Sequence, residues 1–366
     1  MKVVIAGGGT AGHVFPAIAL AQELRAGGHE VVFLGTEDGL EAGLVPEAGF
    51  DFTPIEAAPL ARRPSSATLR APVIALRSIR RCRPLVAGAG AVVGMGGYVS
   101  APPVLAARRE GRPVILHEQN AVPGLANRLL ARGARTVALS FADAADRLPR
   151  GVRSVLTGNP VRARILEVPA HREALRKEAL GELDLKEGRA TVVVFGGSLG
   201  ALHVDRVIAG AIDHLRDRGD LQLLVLTGPR HLEVVRGPAS RTMALRVRAL
   251  PFLDRMELAY AAADVVVARA GATSIAELTV CGLASLLIPY PHATADHQDA
   301  NARELERAGA SEVLADTDLR SDDLAARIAR LVDEPGRRET MAARAAAWAR
   351  PEAAERLAHL VVDEAS

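Results

Sequence analysis

The sequence predicts an α/β protein built from two Rossmann-like domains, each a doubly wound parallel sheet. Its 366 residues are enough for two domains at roughly 150 residues each. Short apolar strands alternate with helical segments, which indicates parallel sheets covered on both faces. The opening strand–glycine–helix unit recurs near residue 191, so the chain reads as two similar halves.

Each half begins with the same βαβ pattern. Val3–Ala6 is a short apolar strand, followed by glycines, a helical stretch and a second strand at Val31–Leu34. In the second half, Thr191–Phe195 leads through glycines and a helix to the strand Leu221–Leu226. The β-branched residues of these runs favour strands, and we expect ligands beyond the strands' carboxyl ends.

Two further strand–glycine–helix units complete the halves, one beginning at Ala91 and the other at Asp264. The turn around Gly158 is the expected linker, and Pro335-Gly336 marks a second boundary. We therefore predict a first domain over 1–158 and a second over 159–335. The helices of 336–366 are expected to pack back onto the first domain.

Composition excludes several classes. Two cysteines are too few for a disulfide framework or a cysteine-rich zinc site. Aromatic residues make up 3%, which argues against a base-stacking nucleic-acid binder, so we predict no nucleic-acid partner. The N-terminal apolar run is too short for a signal peptide. The uncharged stretch Pro84–Ala107 contains several glycines and prolines and fits a strand, turn and helix better than a membrane span.

The first glycine loop has two interpretations. Gly7–Gly12 matches G-x-G-x-x-G, and Glu37 or Asp38 could hold a ribose, which would give an NAD- or FAD-dependent oxidoreductase. Against this, His13 follows the loop directly, and a second loop stands at Gly196–Gly200. A third loop, beginning at Gly271, opens a helix. Glycine loops in two domains facing across a cleft suit a nucleotide donor and an acceptor.

Six short motifs, in order and with matching spacing, resemble the MurG family of glycosyltransferases. They extend from the first strand to about residue 310, and they are Gly8–Pro16, Met95–Ser100, His117–Asn120, Gly158–Arg162, Gly196–Ser198 and His297–Ala302. The resemblance implies the GT-B fold. It also implies an inverting transfer of N-acetylglucosamine from UDP-N-acetylglucosamine to the C4 hydroxyl of the muramyl sugar of lipid I, giving lipid II for peptidoglycan.

The resemblance also implies binding residues at matching positions. The donor would be bound by Thr10, Ala11, Gly12, Asn120, Arg162, Ser198, Leu253, Ala272, Thr273, Ser274, Ile275, Ala276, Glu277 and Gln298. Among these, Leu253 would present backbone groups to uracil, Glu277 would bind the ribose and Gln298 would read the sugar hydroxyls. The acceptor would be bound by Gly96, Gly97, Tyr98 and His117.

The chemistry requires a base for the attacking hydroxyl and stabilisation of the leaving diphosphate. His13 is the expected base, directly or by orienting the acceptor, because an imidazole has an ordinary pKa of about 6.5. Glu118 is the rival base, and it could instead be a buried carboxylate that holds the neighbouring loop. A helix N-terminus at Gly271 together with Arg162 would stabilise the diphosphate.

We predict no resident cofactor or metal. No Asp-x-Asp pair follows a strand, and no His/Cys cluster has ligand spacing. His292 and His297 fit loop or sugar contacts better than metal ligands. The pattern leaves room for a loosely bound Mg²⁺. A non-catalytic nucleotide-sugar-binding protein of the same fold is the remaining alternative.

A basic segment predicts membrane binding. No acidic residue lies between Glu56 and Glu110, whereas arginines recur there. We expect an amphipathic helix that starts at Pro72 and docks peripherally on an anionic membrane, at the cytoplasmic face. Its contact residues would be Leu69, Val73, Ile74, Leu76, Arg77, Ile79, Arg80 and Arg81.

Overall fold

A computed structural model describes residues 1–57, 66–197, 200–242 and 244–366, with the backbone alone over 66–74. The chain divides into two compact units. Unit 1 comprises 1–162 and 350–366, and unit 2 comprises 163–349. Each unit carries its own parallel sheet, so the predicted pair of Rossmann-like domains is confirmed.

The described residues of unit 1 form a seven-stranded sheet in the order β3-β2-β1-β4-β5-β6-β7. Its strands are β1 (Lys2–Ala6), β2 (Glu30–Gly35), β3 (Asp51–Pro54), β4 (Ala91–Gly94), β5 (Val114–Glu118), β6 (Thr136–Leu139) and β7 (Ser154–Leu156). The helices between them are α1 (Ala11–Ala26), α2 (Glu41–Glu47), α3 (Ser66–Val86), α4 (Ala101–Arg109) and α5 (Leu125–Leu130).

The position of the first site follows from this strand order. The chain moves outward from β1 to β3 and then returns to place β4 on the other side of β1. All strand pairs are parallel, and Ala6 at the end of β1 lies opposite Gly94 at the end of β4. The two loops that follow these strands therefore lie side by side at a topological switch point, where open α/β sheets bind ligands.

Unit 2 repeats the plan with a six-stranded sheet in its described residues, in the order β10-β9-β8-β11-β12-β13. Its strands are β8 (Ala190–Phe195), β9 (Leu221–Leu226), β10 (Arg246–Leu250), β11 (Val265–Ala268), β12 (Ala284–Leu287) and β13 (Glu312–Val313). Its helices are α6 (Ala163–Leu166), α7 (Val168–Glu182), α8 (Leu202–Leu215), α9 (Leu232–Ala239), α10 (Met256–Ala262), α11 (Ala272–Val280), α12 (His297–Arg307), α13 (Ser321–Asp333) and α14 (Pro335–Trp348).

The C-terminal segment divides differently from our expectation. The last helix, α15 (Ala353–Ala365), belongs to unit 1, where it packs on α1. Helix α14 instead belongs to unit 2 and packs against α11 and β12. Its buried Met341 joins the core of that unit, which explains why only 350–366 of the predicted 336–366 segment belongs to unit 1.

Helix α3 corrects two further expectations. It runs without interruption across Pro72, so the predicted start at Pro72 is wrong. Ile79 is buried, as are Cys82 and Val86, because positions three and four apart share the face that packs on the sheet. Ile79 is therefore a core residue and not a membrane contact.

The exposed face of α3 carries Leu76, Arg77, Arg80 and Arg81, which line one surface depression. Arg81 forms an ion pair with Glu56, so part of its charge is balanced. The side chains of Leu69, Val73 and Ile74 lie outside the described residues. No helix in the described part of the chain is long and apolar enough to cross a membrane.

Candidate active site

The two glycine loops of unit 1 are in direct contact. The backbone N–H of Met95 donates to the carbonyl of Ala6 at 2.8 Å, which extends the β1–β4 pairing into the loops. A Cβ at Gly7 would lie only 2.7 Å from the Cβ of Met95. Glycine is therefore required where the first loop crosses the second.

His13 lies between these loops. Its Nδ1 is 2.8 Å from Oγ1 of Thr10, which fixes one side of the ring. The other side approaches the second loop, because a Cβ at Gly96 would lie 3.2 Å from Nε2 of His13. Gly96 and Gly97 have φ values of +93° and +73°, a conformation that favours glycine. The structure thus brings Thr10, His13, Gly96 and Gly97 together.

Glu41 is a buried carboxylate beneath the first loop, and sequence reasoning missed it. It is 1% exposed. Its Oε2 accepts the Gly9 N–H at 2.9 Å, and its Oε1 accepts both the N–H and the hydroxyl of Thr36. Burial raises the pKa of Glu41, but these hydrogen bonds outweigh it and lower the pKa below its ordinary value. Since a carboxylate already takes the Gly9 N–H, the loop is a poor site for a dinucleotide pyrophosphate.

Glu118 holds a different loop. Its Oε1 accepts the Asn120 N–H, and its Oε2 accepts the Gly124 N–H and the Asn127 amide, at 2.8–2.9 Å. Burial raises the pKa of Glu118, against the lowering effect of these donors. The side chain is only 3% exposed, so it would reach a substrate proton only by breaking the loop. This geometry favours the loop-holding interpretation over the base.

His117 was expected at the acceptor, but its ring is fully buried. Its Nε2 lies 3.2 Å from the carbonyl of Gly158, to which it must donate, because a carbonyl only accepts. Burial lowers the pKa of His117 to about 4, so the ring is neutral at pH 7. In this structure His117 positions the chain at Gly158 and lies too deep to touch a ligand.

The other residues predicted for unit 1 lie at or near the loops. Ala11 and Gly12 open α1, and Tyr98 follows the second loop, all three partly exposed. Asn120 is half-buried beside Glu118. Arg162 was expected in the second domain but belongs to unit 1, where its guanidinium lies 4.5 Å from the ring centre of Phe15 on α1.

In unit 2 the loop after β8 runs beside the loop after β11, because Phe195 and Ala268 lie opposite each other. Gly200, with φ +77°, leaves no room for a side chain, since a Cβ would lie 2.1 Å from the carbonyl of Thr227. Ser198, predicted to bind the donor, lies outside the described residues.

Helix α11 opens at the carboxyl end of β11 with Gly271 as its N-cap. Ala272, Thr273, Ser274, Ile275 and Ala276 form its first turns, where backbone N–H groups favour an anion. Glu277 follows on the same helix and is buried. The hydroxyl of Tyr260 donates to its Oε2 at 2.8 Å and so fixes the carboxylate.

Two buried side-chain pairs support the loops of unit 2, and neither has a local signal in the sequence. Asp205, on α8, lies 3.0 Å from Nδ1 of His231. Burial raises the pKa of Asp205 to about 6, although the His231 contact opposes this. Arg269, just before α11, donates to Asp316 at 2.6 Å and to the carbonyls of Ile288 and Pro289, which ties it to the segments that follow β12 and β13.

The remaining donor residues also lie after strands of unit 2. Leu253 is half-buried in the loop after β10. Gln298 lies on α12, where its Oε1 accepts the N–H of Tyr290 at 3.0 Å. The loop before α12 holds Ala295 and Asp296 at φ +55° and +52°, which is a strained conformation for residues other than glycine.

Metal ligands do not cluster in the part of the chain described here: it contains no group of three His, Cys, Asp or Glu side chains placed to hold a metal ion. His297 contacts the carbonyl of Thr294 at 2.9 Å, and His292 is exposed beside Tyr290.

Comparison with known proteins identifies both domains. The model of the glycosyltransferase family 28 N-terminal domain matches residues 3–139, and the model of its C-terminal domain matches residues 191–357. A UDP-N-acetylglucosamine--N-acetylmuramyl-(pentapeptide) pyrophosphoryl-undecaprenol N-acetylglucosamine transferase from Halothermothrix orenii is 41% identical, over 100% of this chain and 99% of that protein. The protein of the same description from Myxococcus xanthus is 42% identical, over 99% of this chain and 93% of its own length.

Solved structures agree. MurG from Acinetobacter baumannii is 29% identical and superposes with a TM-score of 0.79, covering 99% of both chains. A UDP-GlcNAc 2-epimerase from Neisseria meningitidis is 10% identical with a TM-score of 0.72, covering 99% of this chain and 100% of that one, and so shares the fold alone. With full-length identities of this size, the chain belongs to the MurG family of UDP-N-acetylglucosamine transferases and has its GT-B fold.

Proposed function

We propose that this protein transfers N-acetylglucosamine from UDP-N-acetylglucosamine to the muramyl sugar of a lipid-linked acceptor. The acceptor would be an undecaprenyl-diphosphate muramyl peptide, and the product would carry a β-1,4 bond formed with inversion. The names of the full-length relatives support this choice of donor and acceptor.

The observation that carries the proposal is the placement of His13. One ring nitrogen is held by Thr10, and the other faces the glycine loop of β4. In the proposed step, the second ring nitrogen, Nε2, takes the proton of the C4 hydroxyl while the oxygen of that hydroxyl attacks the anomeric carbon of the donor. The bond from that carbon to the UDP oxygen breaks, UDP leaves with the electron pair, and the proton stays on His13 until product release.

The donor would bind mainly to unit 2. The first turn of α11 would face the diphosphate, since a helix N-terminus carries about half a positive charge. Glu277, held by Tyr260, would accept hydrogen bonds from the ribose hydroxyls. The backbone at Leu253 would face the uracil, and Gln298 would read the sugar. Ser198 and Arg162 remain predicted contacts of the diphosphate.

We propose that the reaction needs no resident metal. The N-terminus of α11 and the guanidinium of Arg162 would stabilise the negative charge that develops on UDP. A Mg²⁺ ion would then bind loosely to the nucleotide at most.

We also propose that the protein works at the cytoplasmic face of the membrane, as a peripheral protein. The exposed face of α3 would meet anionic lipids through Leu76, Arg77 and Arg80, with Arg81 contributing less because Glu56 balances it. We also propose that the protein does not bind nucleic acid.

The test is a transfer assay with purified protein, UDP-N-acetylglucosamine and a lipid-linked muramyl acceptor. Replacing His13 by Ala should lower kcat by at least about 100-fold, the scale of general base catalysis. Donor affinity, measured by calorimetry, should stay within twofold. The matched control is His359→Ala, which removes an exposed histidine of α15 in the same unit and should leave kcat unchanged.

The alternatives give different results in the same experiments. Unchanged kcat in the His13 variant would make the base assignment wrong, and Glu118→Gln would then be measured as the rival. Donor binding without transfer by the wild-type protein would indicate a non-catalytic binding protein. Binding of NAD or FAD with no uridine nucleotide would indicate the oxidoreductase.

A further inference from the structure

Glu41 is buried beneath the first glycine loop, where its carboxylate accepts the N–H of Gly9. We propose that Glu41 is a positioning residue for sugar transfer: it fixes the loop at Gly9 and, through Thr10, orients the imidazole of His13. This inference rests on the proposed function, because it assigns Glu41 to the same reaction.

Three glycines make room for this carboxylate. A Cβ would lie 2.1 Å from Glu41 Oε1 at Gly8, 2.4 Å from its Cγ at Gly35, and 2.3 Å from its carboxyl group at Gly39. Any side chain at these positions would displace Glu41. The glycines of the loop and of the β2–α2 turn therefore leave the space that the carboxylate of Glu41 fills.

The carboxylate is linked to His13 through two consecutive residues. Glu41 accepts the N–H of Gly9, which adopts φ +82°. The next residue, Thr10, is extended, with φ −143° and ψ 150°, and its carbonyl accepts the N–H of His13 at 3.0 Å. The Thr10 hydroxyl contacts Nδ1 of the same histidine at 2.8 Å. A rotation at Gly9 would thus move both contacts of Thr10 with His13.

The loop requires a carboxylate in particular. Three donors converge on its two oxygens: the Gly9 N–H, the Thr36 N–H and the Thr36 hydroxyl. A glutamine has almost the same shape, but its NH₂ group would face a backbone N–H at one of these positions. Two opposed donors repel, and a buried N–H without a partner destabilises the conformation that leaves it unpaired. The loop should then move to relieve the contact.

Glu41 does not act on the substrate directly, because it is 1% exposed. A loss of activity on its replacement must therefore separate positioning from general destabilisation. Glu364 offers a matched control in the same unit. It is 8% exposed, and its carboxylate accepts the hydroxyl of Thr136 at 2.8 Å and forms an ion pair with Arg153, holding α15 to β6 away from the loops.

The experiment compares Glu41→Gln with Glu364→Gln in the full-length protein, assayed well below the melting temperature of each. We expect kcat for transfer to fall at least tenfold in Glu41→Gln, with the Kd for UDP-N-acetylglucosamine within twofold of wild type. Glu364→Gln should lower the melting temperature with kcat within twofold. Equal kcat in Glu41→Gln and Glu364→Gln would overturn the inference.

A double-mutant comparison tests the route through His13. If Glu41 acts by orienting that ring, Glu41→Gln should change kcat by less than twofold in the His13→Ala background. A full tenfold loss there would refute the route. The imidazole NMR signals of His13 provide a second readout: they should shift in Glu41→Gln and stay in place in Glu364→Gln, and unmoved signals in both would also refute it.

Failure of this inference is distinguishable from failure of the proposed function. A wild-type protein that binds the donor without transferring sugar would refute the function. An active wild type with a fully active Glu41→Gln variant would refute the positioning role alone.

Discussion

The buried ring of His117 should make unit 1 less stable as the pH falls. The imidazole pKa is 6.5 in an exposed chain and about 4 in this fold, where burial is the largest cause of the shift. Between these two values the unfolded chain binds a proton that the folded chain does not. Protonation at this position therefore leaves the free energy of unfolding unchanged above pH 6.5 and lowers it as the pH falls towards 4.

The size of the effect follows from the same two values. At pH 7.5 both states are neutral at this position, so the contribution is close to zero. At pH 5.0 nearly all unfolded molecules, but about a tenth of folded ones, would carry the proton, and linkage then gives about 2 kcal/mol of lost stability.

The assay is urea unfolding at pH 7.5 and 5.0, followed by circular dichroism. Pulsed hydrogen exchange on peptides from β5 assigns the transition to unit 1. Other groups titrate over this range, so the quantity of interest is the difference between wild type and His117→Gln. Glutamine can still donate to the Gly158 carbonyl, but it does not titrate.

We expect the wild type to lose about 2 kcal/mol more than His117→Gln between the two pH values. His359→Gln, which changes an exposed histidine of the same unit, should lose as much as the wild type. An equal loss in wild type and His117→Gln would mean that the ring is protonated or exposed in solution, and the argument for its burial would fail.

Three further predictions concern the proposed function. Tyr260→Phe removes the hydroxyl that fixes Glu277, and it should weaken UDP-N-acetylglucosamine binding about tenfold by calorimetry, whereas Tyr98→Phe should not. Replacing Arg77 and Arg80 together by Gln should weaken binding to phosphatidylglycerol vesicles about 30-fold, at about 1 kcal/mol per charge, while the double Lys variant should bind like wild type; equal binding by both would contradict the membrane face. Dialysis against EDTA should leave the transfer rate within twofold, and a loss that Mg²⁺ restores would contradict the metal-free proposal.

Much of the fold could be predicted because its signals are local. Apolar runs such as Val3–Ala6 and Thr191–Phe195 become strands, and the glycines that follow them become loops at the carboxyl edge of each sheet. Parallel strands alternating with helices leave few topologies, since such crossovers are right-handed in nearly all cases. The place of His13 beside the glycine loop followed directly from its position in the chain.

The errors arose where a residue's neighbours are distant in sequence. The arginines around Ile79 suggested a membrane face, but the sheet beneath α3 buries Ile79 itself. His117, which the resemblance implied as an acceptor contact, is fully buried in β5, an interior strand of the sheet. Helix α14 was expected on the first domain because only packing against α11 and β12 assigns it to the second.

Short segments of the chain were enough to predict the two Rossmann-like domains, their glycine loops and the resemblance to a family, because strand period, glycine spacing and motif order are all local properties. The side chains that support these loops became visible in the folded chain alone. Glu41 meets Gly9 across 32 positions, and Asp205 meets His231 across 26. A carboxylate becomes a buried hydrogen-bond acceptor only when folding removes water and brings donors to it. No pattern within a short segment predicts which distant donors these will be.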